Sequence, residues 1–256
     1  MAFFDLSGKH ALVTGATGPL QRALAIALAE AGADVSLTTA TNEMAEEVQA
    51  NSILNECWSI GRRGEALTVA LADEPALSDA IAGLEARIAP IDILVNAAHA
   101  APILPFLDTS SEHDAAAFTA GVASVLTPTR VVGRGMVERG SGRVINLASI
   151  LHDRGVPNCA LYSATQGAIV GFTKSLGIEW IRSGVTVNAL GIGFYEDLPG
   201  PQHDAEIHAA LERYIPLRRL GEGSDLQGAV VYLASDEAGF VASELIVVDG
   251  SITAHG

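Results

Sequence analysis

The sequence is poor in cysteine, in aromatic residues and in positive charge. Its two cysteines, Cys57 and Cys159, lie far apart and form no CxxC pair. Neither a zinc site nor a disulfide framework is expected, a reducing compartment fits, and both thiols read as packing residues. Lys and Arg number 15 against 30 Asp and Glu, a formal net charge of -15. Such a chain repels phosphate backbones and anionic headgroups, which excludes nucleic acid and membrane surfaces as partners. No apolar run approaches the roughly 20 residues of a membrane span. The start, MAFFDLSGKHALVTG, lacks the basic, apolar and small-residue regions of a secretory signal, so a cytoplasmic protein is expected. Linkers, charge blocks, internal repeats and low-complexity tracts are also missing, which predicts one domain over residues 1–256.

What is present is apolar material, 49% of the chain, in short runs that alternate with longer segments of helical period. Strands are predicted at 10–13, 35–37, 66–71, 91–95, 143–147, 186–190 and 245–248. Between them lie helices predicted near 20–31, 43–57, 76–88, 112–137 and 162–182, with two more near 204–214 and 224–234. This βαβα order predicts an α/β fold with parallel strands and crossover helices.

At 13–21, VTGATGPLQ, a strand runs through a Gly-containing turn into a helix. A Rossmann-type, doubly wound domain places a dinucleotide pyrophosphate at such a turn, where glycine lets backbone approach phosphate. Gly15 and Gly18 also suit an ordinary turn, and both readings stay open on these residues alone.

With 91–98 (IDILVNAA), 142–150 (GRVINLASI), 162–174 (YSATQGAIVGFTK), 185–190 (VTVNAL) and 247–250 (VVDG), the chain resembles the short-chain dehydrogenase/reductase family along essentially its whole length. The resemblance implies a seven-stranded parallel sheet in three αβα layers, a substrate-lid-like segment at about 195–220, and subunits paired through the two long helices. The activity it implies is NAD(P)-dependent oxidation or reduction of an alcohol or carbonyl. Against the family pattern T-G-x-x-x-G-x-G, Thr14 and Gly15 fit, while Pro19 and Gln21 replace the later glycines. Where the family selects its cofactor with an acid or an arginine, this chain has Thr39 and Ala40. The adenine-holding aspartate falls on Ala70, and the N-N-A-G turn reads Asn96, Ala97, Ala98, His99. The nicotinamide-wrapping P-G-x-x-x-T segment reads Ile192, Gly193, Phe194, Tyr195, Glu196, Asp197. Gly15 and Asn96 are thus remnants of a dinucleotide site that Pro19, Gln21, Ala70 and His99 disrupt, and no cofactor is expected on this chain.

Of the family's Asn, Ser, Tyr and Lys relay, Ser149 and Tyr162 match, Gln166 stands at the lysine position and Gly121 at the asparagine position. An amide brings no charge, so the Tyr162 phenol is expected to stay protonated near neutral pH. Ser149 and Tyr162 also read as relics, a Ser closing a strand and a Tyr opening a helix. His99 reads as a hydrogen-bonded pocket residue, and no metal site is expected, since no His, Cys or carboxylate stands at ligand spacing. Pro128 falls inside the long helix and is compatible with a kink or a shaped subunit face.

The expected function is a non-catalytic subunit with vestigial Ser149 and Tyr162, paired in a heterotetramer with an active homologous dehydrogenase that carries the NAD. This resembles the inactive partner in heteromeric dehydrogenases such as the hydroxybenzylsuccinyl-CoA dehydrogenase of anaerobic toluene degradation. A homodimer or homotetramer is the alternative assembly. The alternative functions are a cofactor-independent enzyme using Ser149 and Tyr162, and an atypical NAD(P)-dependent oxidoreductase.

Overall fold

A computed structural model describes residues 3–15, 18–40, 43–98, 103–196, 198 and 201–254. Seven strands, β1 (His10–Val13), β2 (Asp34–Thr39), β3 (Ala66–Thr68), β4 (Ile93–Asn96), β5 (Gly142–Ser149), β6 (Val185–Ile192) and β7 (Leu245–Val248), form one sheet in the order β3-β2-β1-β4-β5-β6-β7. All six pairings are parallel. Parallel strands covered on both faces read as continuous apolar runs, and β1, β4 and β6 are buried at every position.

The helices are α1 (Pro19–Glu30), α2 (Met44–Ser59), α3 (Glu74–Arg87), α4 (Ser111–Arg139), α5 (Ala160–Trp180), α6 (Ala205–Tyr214) and α7 (Gln227–Ala234). One core layer joins Val13, Val35 and Leu37 to Leu24 and Leu28 of α1 and to Leu233 of α7. The opposite layer joins Leu12, Leu94 and Val144 to Leu77 and Leu84 of α3 and Met136 of α4. The boundaries have local causes. Asp73 caps α3 by accepting from the Ala76 amide (3.1 Å), Ser110 caps α4 by accepting from His113 (3.2 Å), and Gly140, in the left-handed region at φ 72°, ends α4. Pro128 sits within α4 and leaves the Ser124 carbonyl without its helical donor, yet the helix runs on to Arg139.

The third strand is shorter than the predicted 66–71, because after Val69 the chain folds back, Asp73 N–H donating to Ala70 (3.0 Å), to start α3. Likewise the predicted helix at 224–234 begins as a 3₁₀ turn, Gly223–Leu226, and becomes α7 only at Gln227. Among the described residues α4 alone is long and apolar enough to cross a membrane, and it packs against α3, α5, β4 and β5.

Sheet order reverses between β1 and β4, and in doubly wound sheets ligands bind beyond the C-terminal strand ends at such a switch point. Ser149, the last residue of β5, borders that same edge.

Candidate active site

The crevice begins at the turn after β1. Gly15 has φ 72°, and a Cβ there would stand 2.7 Å from the Ala98 Cα, so only glycine fits. Its N–H donates to Thr38 Oγ1 (3.1 Å), while Thr14 Oγ1 accepts from the amides of Ala97 (3.1 Å) and Ala98 (3.4 Å). The turn is thereby fastened to both neighbouring strand ends. Gly18 caps α1 without a side chain, leaving the positive end of the helix dipole uncovered.

Both replacements in the glycine pattern prove compatible with that geometry. Pro19 opens α1 at its first position, where the missing N–H would have had no helical partner anyway. Gln21 is 7% exposed and turns inward, its Nε2 donating to the Ala97 carbonyl (2.9 Å). Pro19 thus lies at an ordinary proline position, and Gln21 turns into a hydrogen bond with the chain after β4. His99 lies outside the described residues, as does Asp197.

Among the described residues, the end of β2 presents no charge. Thr39 Oγ1 pairs with Thr68 Oγ1 (3.0 Å), and Ala40 and Ala70 are exposed methyl groups. Asn96 is fully enclosed, and its Nδ2 donates to Thr129 Oγ1 (2.9 Å) and Asn146 Oδ1 (2.7 Å), while Asn146 Nδ2 donates to Thr173 Oγ1 (2.8 Å). This network links β4, β5, α4 and α5 beneath the crevice. Its Asn146, Thr129 and Thr173 escaped sequence reasoning, because an Asn in an apolar strand reads as an exception until its partners are brought together.

On the other side of the crevice Ser149 is 4% exposed, and its hydroxyl hydrogen-bonds with Tyr162 and accepts from the Leu151 amide (3.2 Å). Burial pushes the Tyr162 phenol up to about 12, with the Ser149 hydrogen bond opposing the rise. Gln166 follows Tyr162 by one helical turn and is buried; its Oε1 accepts from the Ser149 amide (2.9 Å). The amide thus fixes the backbone of Ser149 and supplies no positive charge to the phenol. Gly121 is buried in α4 and offers the relay no side chain, its carbonyl accepting from Ser124 Oγ (2.8 Å).

Ser149 and Tyr162 line a crevice with Ile150, Leu151, Phe194 and Tyr195. Gly193 is required at its floor, where a Cβ would stand 2.9 Å from Asp249 Cβ. Tyr195 is buried with its hydroxyl donating to the Val248 carbonyl (3.0 Å), and burial raises its pKa. Its ring closes the side of the crevice. Among the described residues no group of His, Cys, Asp and Glu is placed to hold a metal ion.

A nicotinamide dinucleotide can be tested against these features. The Gly15 cradle and the uncapped start of α1 fit a pyrophosphate, and Ser149 and Tyr162 fit a reacting carbon in front of them. No described side chain at the end of β2 distinguishes NAD from NADP.

A family model described as "Enoyl-(Acyl carrier protein) reductase" (adh_short_C2) matches residues 15–253. Gluconate 5-dehydrogenase of Gluconobacter oxydans (strain 621H) is 32% identical over 98% of this chain and 96% of its own length. The 2-dehydro-3-deoxy-D-gluconate 5-dehydrogenase of Bacillus subtilis (strain 168) is 34% identical over 96% and 95%. The crystal structure of a gluconate 5-dehydrogenase from Burkholderia cenocepacia J2315, in complex with NADP and tartrate, superposes with a TM-score of 0.89 at 30% identity, covering 98% and 97% of the two chains. These likenesses overturn two expectations. A non-catalytic role beside an active sister gives way, since the relatives matched end to end are themselves named dehydrogenases. The absence of a cofactor gives way as well, since this same architecture holds NADP in the Burkholderia structure. The oxidoreductase ancestry, the sheet order, the glycine turn and the Ser149–Tyr162 pair agree, and the chain belongs to the short-chain dehydrogenase/reductase family.

Proposed function

We propose that this chain is an atypical NAD(P)-dependent oxidoreductase that works as a carbonyl reductase, with Ser149 orienting the carbonyl oxygen and Tyr162 delivering its proton. The observation that carries this reading is the Ser149–Tyr162 pair lining one crevice, in a chain that also keeps the left-handed glycine turn after β1. The reduced cofactor, NAD(P)H, would supply the hydride when bound. Gly15 and the start of α1 would hold its pyrophosphate.

The direction follows from the phenol. A Tyr162 held protonated up to about 12 is a proton donor throughout the physiological range and a poor base. Carbonyl reduction needs a donor, because the oxygen gains negative charge as the carbon is reduced. Alcohol oxidation needs phenolate, which neither Gln166 nor the buried setting favours. The Gln166 amide anchors Ser149 so that its hydroxyl stays beside Tyr162.

The assembly proposed is of like subunits. A cleft of about 430 Å³ between α4 and α5, with Phe172, Leu176 and Trp180 on its wall, suits a second copy of the chain.

The test is NADPH titration by calorimetry together with Tyr162→Phe. Micromolar NADPH binding is expected in both proteins, with ketone reduction lowered about a hundredfold or more in the variant. Absence of nucleotide binding, or unchanged turnover in Tyr162→Phe, contradicts the reading.

A further inference from the structure

Beside the crevice lies a larger chamber of about 400 Å³, within the size range of small-molecule sites. Ile150, Leu151 and Phe194 line both spaces, so the chamber adjoins the wall that carries Ser149 and Tyr162. Its outer wall is α6. Helix α6 carries Ile207, Leu211 and Tyr214 at spacings of four and three residues, one apolar stripe, and all three border the chamber. None of the helix is fully buried, and Ile207 and Tyr214 remain exposed. Of the stripe, Leu211 packs against the cluster of Ile150, Leu151 and Ile252, while Ile207 and Tyr214 keep apolar surface that a ligand would cover.

The helix is held in place by polar contacts on its other sides. Asp204 caps it through the amides of Glu206 (2.9 Å) and Ile207 (3.1 Å), and His208 Nε2 meets Glu196 Oε1 (2.9 Å). These contacts fix the helix from its polar side, so that of the stripe only Leu211 packs on the core cluster. Opposite it stand Ile150, Leu151 and Ile252, all buried. The charged side chain of the lining is Arg154, which reaches Tyr214 Oη (3.3 Å) and the Thr253 carbonyl (3.3 Å).

We infer that the substrate is a neutral ketone or aldehyde with an apolar body, its carbonyl at Ser149 and Tyr162 and its hydrocarbon part in the chamber against α6. A polyhydroxy acid of the gluconate type meets the wrong surface there. A hydroxyl placed against the aliphatic part of this lining, away from Arg154, Asn158 and Tyr214, gives up water without a partner, at a cost of about tenfold in affinity or more. An apolar body gains about fourfold per buried methylene.

The inference rests on the carbonyl-reductase reading, and the test separates the two. Prodan, a neutral naphthyl ketone whose emission shifts to the blue in apolar surroundings, is titrated into the protein with NADPH present and absent. Wild type is compared with Ile207→Asp and Leu211→Asp, which alter a helix that buries no residue. NADPH-dependent reduction of nonanone is then measured against that of a ketogluconate.

Prodan is expected to bind with a blue shift, each variant weakening it about tenfold while NADPH affinity is unchanged. Nonanone should be reduced with kcat/KM at least about a hundredfold above the ketogluconate, and both variants should lower that value about tenfold. Prodan binding that neither variant changes, or a preference for the ketogluconate, overturns the inference. Failure of NADPH to bind defeats the carbonyl-reductase reading instead, and in that event prodan binding still reports on the chamber.

Discussion

The two walls of the crevice have been altered in different ways. On the wall built by β1, β2 and β4 the backbone is preserved and the side chains that choose a nucleotide are gone: Gly15 keeps its left-handed turn against Ala98, while Thr39, Ala40 and Ala70 offer no charge. On the side built by β5 and α5 the chain keeps Ser149 and Tyr162, the hydroxyls of the proposed reaction, and Gln166, at the family's lysine position, anchors Ser149. The first wall relies on main-chain amides and a helix terminus, which survive substitution of nearby side chains. The second relies on the pKa of one phenol, which a single amide-for-ammonium exchange changes in kind. On the proposed reading, the loss of motif residues removes a nucleotide-choosing charge on one side and a phenolate-stabilising charge on the other.

The largest effect that would break this contrast is at Gly15. Gly15→Val places a β-branched side chain at φ 72° and against the Ala98 backbone. A stability loss of about 2 to 3 kcal/mol and loss of NADPH binding are expected from strain and overpacking. Thermal unfolding and calorimetry measure both. A variant that binds NADPH as well as wild type would show that the backbone turn is not the nucleotide site.

Gln166→Lys would sharpen the contrast from the other wall. An ammonium one turn after Tyr162 favours phenolate and lowers the phenol pKa, so alcohol oxidation should rise about tenfold and acquire a basic limb that moves toward neutrality. Burying the lysine where Gln166 stands costs about 1 to 3 kcal/mol, readable as a lower midpoint in urea. Oxidation rates that do not change in the folded variant would mean that charge at this position does not govern direction.

The smallest effect on the monomer is expected from Gly171→Trp. A Cβ at Gly171 meets nothing within 4 Å in the chain itself, so the helix tolerates it. A second copy packed on α4 and α5 would not, and light scattering should show the oligomer dissociating while the circular dichroism of the helices is retained. An unchanged oligomer would place the subunit contact elsewhere.

Much of the fold was legible in the sequence because the apolar runs of β1, β4 and β6 are buried along their whole length. Ser149, Tyr162 and Gln166 were legible as a set because a strand end and one helical turn position them. What was not legible depends on distant partners. The Gln21 amide reaches Ala97, 76 residues away, so its identity read as an obstruction when its conformation makes it a brace. Asn96 and Asn146 meet only because β4 and β5 are neighbours. The apolar stripe of α6 was present in the sequence, but its meaning required Ile150 and Ile252 opposite. Absent family residues spoke only of what had been lost. The replacement contacts decided what remained.

The most direct test of the account is the pH dependence of NADPH-driven ketone reduction by the wild-type protein, measured with alcohol oxidation by NADP in parallel. Because the Tyr162 pKa is raised to about 12, its proton is in place below that value and is lost only above it. Reduction should therefore stay level from about pH 6 to about pH 10, with oxidation slow and rising steadily across the same range. A reduction rate that falls through an apparent pKa near about 7 to 8, as a cation-assisted phenol would give, would contradict the account.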